Sequence, residues 1–167
     1  QPSLADLEGD GPVEVATEKH IVDGKTGAVK QTLATPAAIN TVADLDGNGT
    51  LDIVAGGHAA KADGTELANT GTTQSYVAVA DLDKDGKPEV VAVDSSTHTL
   101  TLWQYDATAA NKTRILRTGL DINGTLDPNL CPAGSAGRTR GGGPPTIGDF
   151  NADGFPDVAL AGGVGYA

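Results

Sequence analysis

One short acidic phrase is written four times along this chain of 167 residues. It reads ADLEGDGPVEV at 5–15, ADLDGNGTLDIV at 43–54, ADLDKDGKPEVV at 80–91 and GDFNADGFPDVA at 148–159. Numbered from its first Asp, each copy has an acid or amide at positions 1, 3 and 5, glycine at 6 and a carboxylate at 9. We call these loop 1 (6–14), loop 2 (44–52), loop 3 (81–89) and loop 4 (149–157). Each runs straight into alternating apolar residues, the pattern of a half-buried strand. The chain therefore reads as an array of β-units, each carrying an oxygen-rich loop.

Calcium is a hard cation that takes six to eight oxygens in a flexible shell. Side chains at 1, 3 and 5 wrap around one point, glycine at 6 turns the backbone sharply, and the carbonyl of position 7 turns inward. The closing carboxylate stands at 9, ahead of β-formers such as Ile53 and Val54, whereas an EF-hand closes at 12. The expected ligands are Asp6, Glu8, Asp10, the Pro12 carbonyl and Glu14 in loop 1, and Asp44, Asp46, Asn48, the Thr50 carbonyl and Asp52 in loop 2. Loop 3 offers Asp81, Asp83, Asp85, the Lys87 carbonyl and Glu89; loop 4 offers Asp149, Asn151, Asp153, the Phe155 carbonyl and Asp157. Mg²⁺ demands a tighter octahedron and keeps its waters, so Ca²⁺ suits these loops better. Three to four structural Ca²⁺ ions are expected. Loop 1, with Glu8 where a shorter Asp belongs, is expected to be the weakest. The bland alternative is four solvated Asx-turns without metal.

The charge supports the cation. The net charge is −11, and 14 of the 22 acids lie in the four loops. Charge piled into small loops repels itself unless counter-ions sit there. No basic stripe with interleaved aromatics is present, which argues against nucleic acid as a partner. No apolar run reaches transmembrane length, so no membrane insertion is expected. A single cysteine, Cys131, leaves no internal disulfide. Aromatics are only 4%, so the core has to be built from Val, Ala, Leu and Ile.

The loops start at 6, 44, 81 and 149, spacings of 38, 37 and 68. A near-constant period marks a repeat architecture, and the long step implies a unit without its loop or an insertion. SYVAVAD and INTVAD lead into loops as strands, and TLTLWQYD (99–106) is the clearest alternating strand. DGKTG (23–27) and ADGTE (62–66) read as hairpin turns, and TAANKTRIL (108–116) as loop then strand. The Gly/Pro-rich stretch 121–145 reads as a long inserted surface loop, a kind that is usually functional or mobile.

ADLDGNGTLDIV, ADLDKDGKPEVV and GDFNADGFPDVA resemble the FG-GAP/VCBS repeats of integrin-α-like β-propellers. The GGGPPTIGDF run resembles the first strand of such a blade, and DGKTG its outer hairpin. The resemblance implies an all-β fold: a partial β-propeller of about four to five four-stranded antiparallel blades with calcium-binding inter-strand loops. Residues 1–167 would then be a portion of one propeller. Its remaining blades would come from the same parent protein or another chain, and both ends look cut from a longer protein. It further implies an extracellular or cell-surface setting and a non-enzymatic binding or adhesion scaffold, with a protein or glycan as possible ligand. The rivals are a sugar-binding lectin-type propeller and an accessory domain of a polysaccharide-degrading enzyme.

The remaining residues carry weaker signals. His20, His58 and His98 share no metal-ligand spacing. Asp94–His98 reads as a polar hairpin turn, not a nucleophile elbow. Trp103 reads as packing between units. Cys131, the basic spot at Arg138 and Arg140, and the acceptor sequences at Asn111 and Asn123 belong to loops.

Overall fold

The computed structural model describes residues 1–72, 76–122, 143–162 and 165–166. Over these residues the fold is all-β and every strand pairing is antiparallel. The first sheet is β1 (Ser3–Ala5), β2 (Glu14–Ala16), β3 (His20–Asp23) and β4 (Val29–Thr32). The second is β5 (Thr41–Ala43), β6 (Asp52–Ala55), β7 (His58–Ala60) and β8 (Glu66–Asn69). The third is β9 (Tyr76–Ala80), β10 (Glu89–Asp94), β11 (Thr99–Tyr105) and β12 (Thr113–Asp121). Each is a meander whose spatial order follows the chain. Two pairs complete the described strands: β13 (Thr146–Gly148) with β14 (Asp157–Ala159), and β15 (Ala161–Gly162) with β16 (Gly165–Tyr166). Among the described residues there are thus three complete four-stranded sheets and two strand pairs, where the sequence led us to expect four to five full units.

The elements follow from local chemistry. Asp23 accepts hydrogen bonds from the Lys25 and Thr26 N–H groups and from Thr26 Oγ1, closing the β3–β4 hairpin over DGKTG. Asp63 does the same with Thr65 between β7 and β8, and Asp94 with Ser96 between β10 and β11. The 108–116 segment is loop then strand as read, because Asp106 caps Thr108 before β12 begins. The long step between loops 3 and 4 contains one described sheet, with β11 and β12 longer than their counterparts at 7 and 9 residues. Strand β12 runs through Asp121, the first residue of the stretch 121–145 expected to be an inserted loop. Its residues 123–142, with Asn123, Cys131, Arg138 and Arg140, lie outside the described residues.

The sheets pack through their first strands: β1 lies against β5, β5 against β9 and β9 against β13. Between neighbouring sheets lie two cores. Alternation along a strand sends Ile53 and Ala55 of β6 toward the first sheet and Val54 toward the third. The middle sheet is therefore buried on both faces, and all four residues of β6 are buried. The cores are made of small aliphatics, as the low aromatic content requires. Trp103 is the exception; it is fully buried between the second and third sheets, with Nε1 donating to the Gly56 carbonyl at 2.9 Å.

The fourth strand of each complete sheet carries a one-residue bulge at the same register. Val22 pairs with Val29 and Ile21 with Gln31, which leaves out Lys30. Ala60 pairs with Glu66 and Ala59 with Ala68, which leaves out Leu67. Trp103 pairs with Ile115 and Leu102 with Arg117, which leaves out Leu116. A bulge re-aims the side chain of the extra residue.

Candidate metal centre

The four acidic loops join the first and second strand of each unit, and all are built on the same two brackets. The position-1 aspartate accepts from the position-6 N–H: Gly11 to Asp6 at 2.8 Å, Gly49 to Asp44 at 2.8 Å, Gly86 to Asp81 at 3.0 Å and Gly154 to Asp149 at 2.9 Å. The position-9 carboxylate reaches back to the position-2 N–H: Leu7 to Glu14 at 3.0 Å, Leu45 to Asp52 at 3.0 Å, Leu82 to Glu89 at 2.7 Å and Phe150 to Asp157 at 3.0 Å. The position-6 glycines sit at φ between +87° and +100°, a conformation that L side chains rarely adopt. The same turn then carries the position-7 carbonyls of Pro12, Thr50, Lys87 and Phe155. Position 4 is also left-handed in every loop, occupied by Gly9, Gly47, Lys84 and Ala152.

These brackets gather carboxylates. In loop 1 the oxygens of Glu8, Asp10 and Glu14 come within 4.8 Å of one another; in loop 2 those of Asp44, Asp46 and Asp52; in loop 3 those of Asp81, Asp83 and Asp85. Among the described residues, three carboxylates are not gathered this way in loop 4, where Asn151 Nδ2 donates to Asp153 at 3.0 Å instead. Asp6 and Glu89 also stand outside their loops' groups.

The position-9 carboxylates differ in the fate of their second oxygen. All three of Glu14, Asp52 and Glu89 are at most 1% exposed. In loop 1, Glu14 Oε1 accepts from Lys30 Nζ at 2.8 Å, and the same ammonium reaches Glu8 Oε2 at 2.8 Å. In loop 3, Glu89 Oε1 accepts from Gln104 Nε2 at 2.6 Å. In loop 2, Asp52 Oδ1 is buried with no hydrogen-bond partner. Loop 3 has a second such atom, Asp81 Oδ1. Among the described residues these are the only carboxylate oxygens buried and unpartnered. A buried acceptor without a partner is costly and calls for an explanation. Both belong to residues of the gathered carboxylate groups, a donor set that fits a hard cation.

The electrostatics agree. Burial pushes the Asp52 carboxyl up to about 6, against the pull of the Leu45 N–H and with the push of Asp46 and Asp44. Burial also raises Glu89, opposed by the Leu82 N–H and reinforced by Asp83, Asp85 and Asp81. Lys30 is raised by its hydrogen bonds to Glu14 and then Glu8. Like charges thus crowd loops 2 and 3, while loop 1 carries its own cation.

Lys30 and Gln104 were not among the residues singled out from the sequence. The trace that could have found Lys30 is a lysine at the bulge where the next sheets carry leucine. Two further features share the loop rim. Lys84 Nζ lies 4.8 Å from the centre of the Phe155 ring, linking loop 3 to loop 4. A cleft of about 580 Å³ between the second and third sheets is lined by Asp44, Asp46, Gln104, Tyr105, Asp106 and Arg114, among others. The histidines stay apart. His20 meets Thr32 on β4, while His58 is half-buried beside the chain around Pro36, where burial lowers its pKa. Trp103 is core and has no face free for a ligand.

Comparison with known proteins bears on the same loops. Residues 81–160, which hold loops 3 and 4, match the FG-GAP-like repeat family, and over that stretch the chain carries the repeat its motifs resemble. Loops 1 and 2 lie outside the match yet keep the same brackets. Among solved structures the chain is similar to the biofilm matrix protein Bap1 of V. cholerae, with a TM-score of 0.62 at 20% identity over 95% of this chain. The likeness is one of fold, and the chain spans 23% of the length of that structure. Among the described residues no helix is long and apolar enough to cross a membrane.

Proposed function

We propose that this FG-GAP-repeat chain is a non-enzymatic, calcium-stabilised scaffold, a portion of a β-propeller that works in binding or adhesion outside the cell. The observation that carries the calcium reading is Asp52 Oδ1, a fully buried, unpartnered oxygen beside the carboxylates of Asp44 and Asp46. Loop 3, with Asp81 Oδ1 beside Asp83 and Asp85, is the second site. The ion neutralises carboxylates that repel one another and locks the first two strands of a unit, so its role is structural. Meanders whose first strands abut in series support blades set around an axis. The similarity to a biofilm matrix protein supports the extracellular adhesion role.

The partners follow from what is left open. Position 2 of the loops is buried at Leu7 and Leu45, at 1% and 4% exposure, but Phe150 is 61% exposed. Further blades, from the same parent protein or another chain, would cover it as the second and third sheets cover the leucines. A glycan or protein ligand is a second reading. The cleft between the second and third sheets favours it, because it sets Tyr105 and Arg114 beside loop 2. A glycan array decides that reading.

The main test is calcium binding by native mass spectrometry and by melting with and without chelator. Wild type should take up calcium and melt higher with it, and Asp52→Asn and Asp81→Asn should each lose an ion. A melting curve indifferent to calcium in wild type would remove the metal from the proposal.

A further inference from the structure

Loop 1 has the gathered carboxylates of a cation site but also has a cation of its own. Lys30 Nζ stands 2.8 Å from Glu8 Oε2 and 2.8 Å from Glu14 Oε1, bridging positions 3 and 9 of the loop. Glu14 is 1% exposed, and its other oxygen is taken by the Leu7 N–H. Among the described residues, loop 1 therefore holds no buried carboxylate oxygen without a partner, unlike loops 2 and 3. The ammonium arrives there because of the fold. Lys30 is the bulged residue of β4, and the same bulge holds Leu67 in β8 and Leu116 in β12. Leu67 is buried in the core between the second and third sheets. One repeated backbone device thus carries a lysine that reaches the loop in the first sheet and leucines in the next two.

We infer that Lys30 is the resident counter-ion of loop 1 and replaces the divalent ion there, so the first sheet holds its loop without calcium. A divalent ion among Glu8, Asp10 and Glu14 would face a fixed positive charge within hydrogen-bond distance of two of its three carboxylates, and would have to displace it. The substitution of Glu for Asp at position 3 fits the same design, since the longer side chain reaches the lysine. Calcium dependence is then polarised along the chain, absent at the first sheet and present at the second and third.

The test compares Lys30→Leu, which installs the residue found at the other two bulges, with Lys30→Arg, which keeps the charge. Native mass spectrometry with calcium chloride should give Lys30→Leu one more ion than wild type and Lys30→Arg the same number. In wild type, Glu8→Gln should leave the ion count unchanged. In chelator, Lys30→Leu should melt below wild type and regain the loss when calcium is added, while Lys30→Arg should stay close to wild type. Loss of an ion in Glu8→Gln would overturn the inference, as would a Lys30→Leu protein with the wild-type ion count that melts with wild type in chelator. The inference uses the calcium reading of loops 2 and 3 only for the ion count. If wild type bound no calcium at all, that reading would fall, and the melting arm in chelator would still decide the role of Lys30.

Discussion

On one rim of the molecule the chain uses aspartate in two opposite ways. In the outer hairpins, Asp23, Asp63 and Asp106 each take a threonine hydroxyl and its N–H: Thr26, Thr65 and Thr108. Those bonds favour the carboxylate and hold all three below the usual range. In the inner loops, Asp52 and Glu89 are buried among like charges and are pushed upward. The hairpin aspartates complete their own hydrogen bonding within two or three residues. The loop carboxylates are gathered first, by brackets to distant N–H groups, and then need a positive charge from outside the loop. In loop 1 that charge is Lys30; in loops 2 and 3 we propose calcium.

The contrast breaks most visibly when calcium is withdrawn. An ion at one hundred times its dissociation constant stabilises by about 2.7 kcal/mol per site, so chelation should produce the largest shift in melting temperature. Asp52→Asn separates the two classes. Asparagine keeps an acceptor for the Leu45 N–H and removes a repelled charge, so the variant should melt no lower than wild type in chelator and should lose much of the calcium response. A substitution next to the metal-free hairpin should act equally in both conditions. Gly64 has φ +82°, and a Cβ there would meet the Thr32 carbonyl oxygen at 2.7 Å. Gly64→Ala should cost roughly 1–3 kcal/mol with or without calcium.

Smaller effects sharpen the contrast further. Asp106→Ala should lower the melting temperature modestly and by the same amount with and without calcium; a calcium-dependent loss would place Asp106 with the loops. For the hairpins the folded pKa lies below the unfolded value of about 3.9, so their stabilisation is present above that pH and is lost as pH falls through the folded pKa. An Asp23, Asp63, Asp106 triple change to Asn should flatten the loss of stability below about pH 4 in chelator, read by melting. The smallest effect is expected at position 4 of loop 4. Ala152 is left-handed at φ +60° where loops 1 and 2 carry glycine, and Ala152→Gly should stabilise by about 1 kcal/mol or less.

Much of this was legible from local patterns. The acidic phrase marked all four loops as running into strands, and the turn residues located the β3–β4 and β7–β8 hairpins. Trp103 packs in the core as read. These succeed because strand alternation and Asx chemistry act over two to nine residues. What was not legible acts across strands. Glu89 reads as the closing carboxylate of loop 3, but the motif holds no sign that its second oxygen accepts from Gln104, fifteen residues away. Asp6 and Glu14 look alike as ligands in the motif, yet of the two only Glu14 joins the gathered group, while Asp6 accepts from the Asp10 and Gly11 N–H groups.

By itself, then, the amino-acid sequence determined the all-β character, the repeat, the four loops and their left-handed glycines, since each is a matter of a few neighbouring residues. Only the tertiary structure decided which loops keep a buried carboxylate oxygen without a partner. That depends on a bulge in the fourth strand, which delivers lysine to loop 1 and holds leucine in the next two sheets, and on burial that leaves Asp52 Oδ1 and Asp81 Oδ1 with no partner. A position-9 carboxylate becomes a strut, half of an ion pair or an acceptor left open according to what another strand brings against it, and the motif contains no record of that strand.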